Sequence, residues 1–108
     1  MVKQTSPIVS VDGINIPSIG FGTMLFPQPE KAVELISHAI DAGYRHIDTA
    51  RKYGSEAWVG EAISTTSVAR KDIWVTTKVT EENAQADDFA RSVEVSLETL
   101  RLDYIDLL

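Results

Sequence analysis

The 108-residue sequence has no cysteine. That excludes disulfides and thiolate metal sites, and it fits a reducing compartment better than a secreted, cross-linked fold. Long apolar runs are also missing: nothing approaches the ~18 residues of a membrane span. The leading Met1-Val2-Lys3-Gln4-Thr5-Ser6-Pro7 lacks the apolar stretch of a signal peptide. Basic residues are in the minority, 10 Lys and Arg against 16 Asp and Glu, for a formal net charge of −6. Binding a phosphate backbone needs a basic face, so nucleic acid is not an expected partner, and neither is a membrane. His38 has no second metal ligand near it, so it reads as a surface or boundary residue and no metal is expected. These absences leave a soluble cytoplasmic protein. One domain, 1–108, is what the length permits, with a real core but little margin.

What is present alternates. Residues 8–17 read as a hairpin: Asp12-Gly13 is a strong two-residue turn signal, with Val9/Val11 and Ile14/Ile16 alternating on either side. Its expected role is to cover one end of a core. Residues 18–22 form the next strand candidate, in which Gly20 and Gly22 leave one face without side chains. Tight packing and close approach of a ligand to the backbone explain that equally well. A first helix is expected from about Pro29-Glu30, since proline suits the first helical position. Ala32, Val33, Leu35, Ile36, Ala39 and Ile40 form its apolar face, and Gly43 supplies a left-handed cap. A second helix is predicted from Ser55, a good N-cap, with Trp58, Val59, Ala62 and Ile63 inward.

Residues 73–77 form a nearly continuous apolar and β-branched strand, as in a sheet covered on both faces. Residues 81–85 read as a solvated loop. A third helix is predicted over 86–100 with Phe89, Val93, Leu97 and Leu100 on one face, and 104–108 as a fourth strand. Strands alternating with helices indicate a parallel sheet with helices outside. A G-x-G-x-x-G fingerprint does not follow the first strand, which weakens a doubly wound nucleotide fold.

The chemistry concentrates after two of these strands. If 44–48 is a strand, His46 and Asp48 share a face, and Asp48 ends it. Tyr53 follows five residues later on the loop. The strand 73–77 runs directly into Lys78. A carboxylate, a phenol and an ammonium at the C-terminal ends of neighbouring parallel strands make a proton-transfer set, at the face where α/β barrels place their chemistry.

Gly20-Phe21-Gly22-Thr23, the run from Asp41 to Ala50, Tyr53-Gly54-Ser55-Glu56, Val59-Gly60-Glu61-Ala62-Ile63, Thr76-Thr77-Lys78 and the run from Leu97 to Leu108 resemble the aldo-keto reductase family, in the family's own order. The resemblance implies the N-terminal half of a TIM (β/α)8 barrel: a β-hairpin, then four parallel strands and three helices. It also implies reduction of aldehydes or ketones to alcohols by hydride from NADPH, with NADH as the alternative. The small-molecule carbonyl substrate is the expected partner.

On this reading Asp48, Tyr53 and Lys78 are catalytic. Tyr53 is the acid, Lys78 the cation that makes its phenol usable, and Asp48 the partner that holds Lys78 and helps place the nicotinamide ribose. Gly22 and Thr23 join Asp48 at the cofactor, and Met24 and Thr80 stand where the family lines its substrate pocket. The family's histidine, which would complete an Asp-Tyr-Lys-His tetrad, has no counterpart here. His46 reads as a hydrogen-bonded interior residue and not as a substitute. The isolated chain is therefore expected to be inactive. Two other roles stay open: a non-catalytic cofactor-binding regulatory subunit, and a half-barrel fragment that self-associates through exposed strand edges.

Overall fold

The computed structural model describes residues 8–108. Strands β1 (Ile8–Val11) and β2 (Ile14–Pro17) pair antiparallel with Val11 opposite Ile14. Between them Asp12 and Gly13 both take positive φ, 50° and 82°, the primed turn whose twist matches the strands it joins. The hairpin touches the sheet through a polar bond, from the ring of His46 to the Pro17 carbonyl at 3.0 Å. Ile8, Val9 and Ile14 remain exposed.

A second sheet is parallel and ordered β3 (Phe21–Gly22), β4 (His46–Asp48), β5 (Trp74–Thr76). Its register sets Phe21 beside Ile47 beside Val75, and Gly22 beside Asp48 beside Thr76. Alternation does the rest. Ile47 and Val75 are fully buried in a core with Ile36 and Ile40 of α1 (Ala32–Asp41), Val59, Ala62 and Ile63 of α2 (Glu56–Thr65), and Leu100 of α3 (Ala86–Leu100). His46, Asp48, Trp74 and Thr76 turn to the opposite face. Helix α1 follows a 3-10 turn at Pro29–Lys31. It ends as its sequence predicts: Gly43 has φ 112°, and Gly43 and Tyr44 return bonds to Ile40 and Ala39, the pattern of a glycine-terminated helix.

Three expectations change. The strand expected over 18–22 shortens to two residues, Phe21–Gly22, and Gly20 just ahead of it packs under the His46 ring, where a Cβ would sit 3.3 Å from its Cγ. On α3 the buried stripe is Ser92, Ser96 and Leu100, while Phe89 is 40% exposed. At its C-terminal end α3 passes close to α2, where a Cβ on Gly60 would overlap the Leu100 carbonyl. The fourth strand is only begun, as one parallel bridge between Leu107 and Thr76. The Asp106 side chain takes the Val75 N–H at 2.8 Å, a donor that a neighbouring strand carbonyl would otherwise accept.

Candidate active site

The C-terminal ends of β4 and β5 bring the three predicted groups together. Asp48 is the last residue of β4, and Lys78 lies two residues beyond β5. The Lys78 ammonium donates to Asp48 Oδ1 at 2.7 Å, to the Thr49 carbonyl at 3.1 Å and to Tyr53 Oη at 3.4 Å. Tyr53 reaches it because Arg51–Tyr53 is a 3-10 turn closed by Gly54 at φ 73°. The Arg51 N–H also bonds the Lys78 carbonyl at 3.4 Å, tying the turn to the end of β5.

Partial burial alone pushes the Lys78 pKa down. Hydrogen bonds to Asp48 and Tyr53, with the attraction of their charges, outweigh it and hold the group above its ordinary 10.5. Lys78 is therefore a persistent cation facing a carboxylate and a phenol, with side chains 47% exposed for Lys78 and 37% for Asp48.

Beside this cluster opens a cleft of about 210 Å³ lined by Ala50, Lys52, Tyr53, Lys78, Thr80 and Glu82, among others. Thr80 accepts a bond from Asn83 Nδ2 at 2.9 Å. Its bond to Glu82, together with Glu82's own backbone N–H and the charge of Lys52, holds that carboxyl below its usual value. Met24 is 66% exposed and does not line this cleft; its loop is anchored one turn on, by Phe26 edge-on to Trp58. The two glycines left ambiguous by the sequence divide. Gly20 packs on His46, whereas a Cβ on Gly22 would meet nothing within 4 Å among the described residues, so these leave the backbone beside Asp48 open to an approaching group. That open floor next to a carboxylate fits a nicotinamide ribose. Thr23 is buried, and its hydroxyl donates to the Asp48 carbonyl at 3.0 Å. His46 uses both ring nitrogens, on Pro17 and on Thr76 Oγ1 at 2.8 Å, and His38 is exposed.

Some of this was not read from the sequence. Lys52 and Glu82 flank the cleft; Lys52's only signal was its place next to Tyr53. Ser55 stands at the start of α2 but makes no capping bond, an interaction worth about 1 kcal/mol where it is made. Its hydroxyl instead meets Thr23 and Thr49.

The aldo/keto reductase family model matches residues 18–108. The chain belongs to that family. It is 38% identical over 94 residues to methylglyoxal reductase DkgB of Salmonella typhi, covering 87% of this chain and 35% of that protein. An uncharacterized oxidoreductase of Schizosaccharomyces pombe is 40% identical over 95 residues, covering 88% of this chain and 29% of its own length. Among solved structures, the aldo/keto reductase from Brucella melitensis superposes with a TM-score of 0.86 at 39% identity, over 93% of this chain and 39% of that one. A Bombyx mori aldo-keto reductase in complex with NADP gives 0.84 at 34% identity, over 94% and 36%. The chain thus spans about a third of the length of the aldo/keto reductases it matches, and it corresponds to their N-terminal part. Its parallel strands and three helices are the first part of the family's TIM barrel.

Proposed function

We propose that this segment carries the proton-transfer half of an NADPH-dependent reductase that converts aldehydes or ketones to alcohols. The observation that supports it is the convergence of Asp48 and Tyr53 on the Lys78 ammonium, at the strand ends where barrel enzymes work. Bound NADPH, with NADH as the alternative, supplies the hydride. Gly22 offers an open backbone for the nicotinamide ribose and Asp48 a hydrogen-bond acceptor beside it. Thr23 supports that floor from below, because its hydroxyl is already given to Asp48.

The chain's own residues then handle charge and proton. Negative charge grows on the carbonyl oxygen of a substrate in the cleft, and the Tyr53 hydroxyl delivers its proton there. The phenolate left behind is stabilised by the Lys78 ammonium, and Asp48 keeps that ammonium in place. Tyr53 regains its proton from water. A cleft of about 210 Å³ suits a small carbonyl compound, and the resemblance to a methylglyoxal reductase makes methylglyoxal a suitable first probe. Thr80 lines the substrate side, whereas Met24 stands outside the cleft and has no role in it.

In the complete enzyme carrying this segment, Tyr53→Phe is expected to lower carbonyl reduction by about 100-fold or more while NADPH binding, followed by fluorescence, is retained. Undiminished turnover in that variant would refute the assignment of Tyr53.

A further inference from the structure

Beneath the Lys78 cluster lies a second polar feature, of which the proposed reaction uses only Thr23. Thr23, Thr49 and Ser55 bring three hydroxyls together, each residue at most 1% exposed. Counting protons gives the group a direction. The Thr23 hydroxyl donates to the Asp48 carbonyl at 3.0 Å, and a carbonyl can only accept. With the single Thr23 proton committed, the 2.8 Å contact between Ser55 and Thr23 carries the Ser55 proton to Thr23 Oγ1. By the same count Thr49 donates to Ser55 across 2.9 Å. The three form a one-way chain from Thr49 through Ser55 and Thr23 to the Asp48 carbonyl, shielded from water. The Thr23 main-chain N–H adds a second bond to that carbonyl at 3.0 Å.

Both ends of the chain bear on the reactive cluster. One end holds the backbone of Asp48, whose carboxylate meets Lys78. The other end is Thr49, whose carbonyl takes a bond from the Lys78 ammonium. Ser55 completes the link by giving up another use. Its carbonyl accepts the first bond of α2, from the Val59 N–H at 3.1 Å, so it holds the capping position; its side chain caps nothing. A serine there ordinarily bonds the exposed N–H groups of its own helix. The hydroxyl has been diverted to the strand ends.

We propose that Ser55 is a positioning residue, the middle of a buried hydroxyl chain that fixes the Asp48–Thr49 backbone so that both acceptors stay on the Lys78 ammonium. The consequence for catalysis rests on the proposed carbonyl reduction; the positional claim does not. The test is an NMR titration of the Lys78 ε-carbon in the 108-residue chain without cofactor. Asp48 and Tyr53 face that ammonium, and Lys52, Glu81 and Glu82 share its cleft. All five are unchanged in the variants, so the midpoint reports where Asp48 and Thr49 sit.

Ser55→Ala is expected to move the Lys78 midpoint downward. Thr23→Val should move it further, since it removes the bond to Asp48 itself. Thr49→Val should move it least, because the remainder of the chain still runs to Asp48. Ser92→Ala deletes a buried hydroxyl that has no partner among the described residues, and should leave Lys78 where it is. An unmoved midpoint in folded Ser55→Ala and Thr23→Val would overturn the proposal, and so would Thr49→Val having the largest effect. If Ser55→Ala does not fold, the order of Thr23→Val and Thr49→Val decides alone. Shifts in the expected order, with a complete enzyme that reduces no carbonyl, would uphold the positioning role and remove the proposed reaction.

Discussion

Two ion pairs lie at opposite ends of β5, and they are built for different purposes. Ahead of the strand, Arg70 bonds Asp106 at 2.9 Å with side chains only 21% and 16% exposed. Its guanidinium also bonds the carbonyls of Ile73 and Tyr104 and lies 4.1 Å over the Tyr104 ring. Beyond the strand, Lys78 and Asp48 are closer, at 2.7 Å, but more than a third exposed and beside an open cleft. The first is a planar fork with a fixed charge, spent on backbone carbonyls and a ring. The second is a point charge whose neighbour is a phenol that can lose a proton. Contact distance does not separate a staple from a chemical group here; accessibility and the identity of the third partner do.

That contrast can be broken in order of expected effect. Lys78→Met in the complete enzyme should reduce turnover by about 100-fold or more, whereas Arg70→Met should leave the rate per folded molecule close to wild type; steady-state kinetics on both variants checks this. Gly60→Ala tests the frame behind both pairs. Its new methyl would press on the Leu100 backbone, and overpacking of this kind costs about 1–3 kcal/mol, to be read from denaturant midpoints. Arg70→Ala should cost about 2 kcal/mol, the scale of hydrogen bonds to a charged group. It should also free 104–108, visible as faster amide exchange at Asp106 and Leu107.

Lys78→Met should change stability by less than about 1 kcal/mol, as exposed pairs do. Alkaline pH sharpens the same distinction. The Lys78 pKa is raised on folding, so its contribution is complete below 10.5 and is lost as pH climbs through the higher folded value. Guanidinium groups as a class are not deprotonated in proteins. The stability difference between wild type and Lys78→Met should therefore vanish in that alkaline window, while the difference from Arg70→Ala persists.

Much of the frame was legible because its signals are local. Asp12-Gly13 fixed the hairpin, Gly43 ended α1, and apolar spacing over 86–100 gave α3 its full length. The convergence of Asp48, Tyr53 and Lys78 followed from strand ends in a parallel sheet, where chain order dictates neighbourhood. What escaped depends on contacts between distant residues. Arg101 ends α3 with φ 56°, a left-handed position that carries no glycine to announce it. Ser55 looked like a cap because its neighbours in sequence are a helix, yet its partners are Thr23 and Thr49. The segment 104–108 does pair with the end of β5, through Leu107 and Thr77, but the Asp106 side chain replaces a strand carbonyl on the Val75 N–H and limits the pairing to one bridge. The two glycines at 20 and 22 are identical in sequence, and only the position of the His46 ring separates them.

The account turns on Asp48, Tyr53 and Lys78 acting as one unit. Turnover of the complete enzyme carrying Tyr53→Phe, Lys78→Met and both together tests this most directly. Residues that serve a single proton transfer lose their effect together, so the double variant should be no slower than Tyr53→Phe alone. Losses that multiply in the double variant would show that the two residues act independently, and would contradict the account.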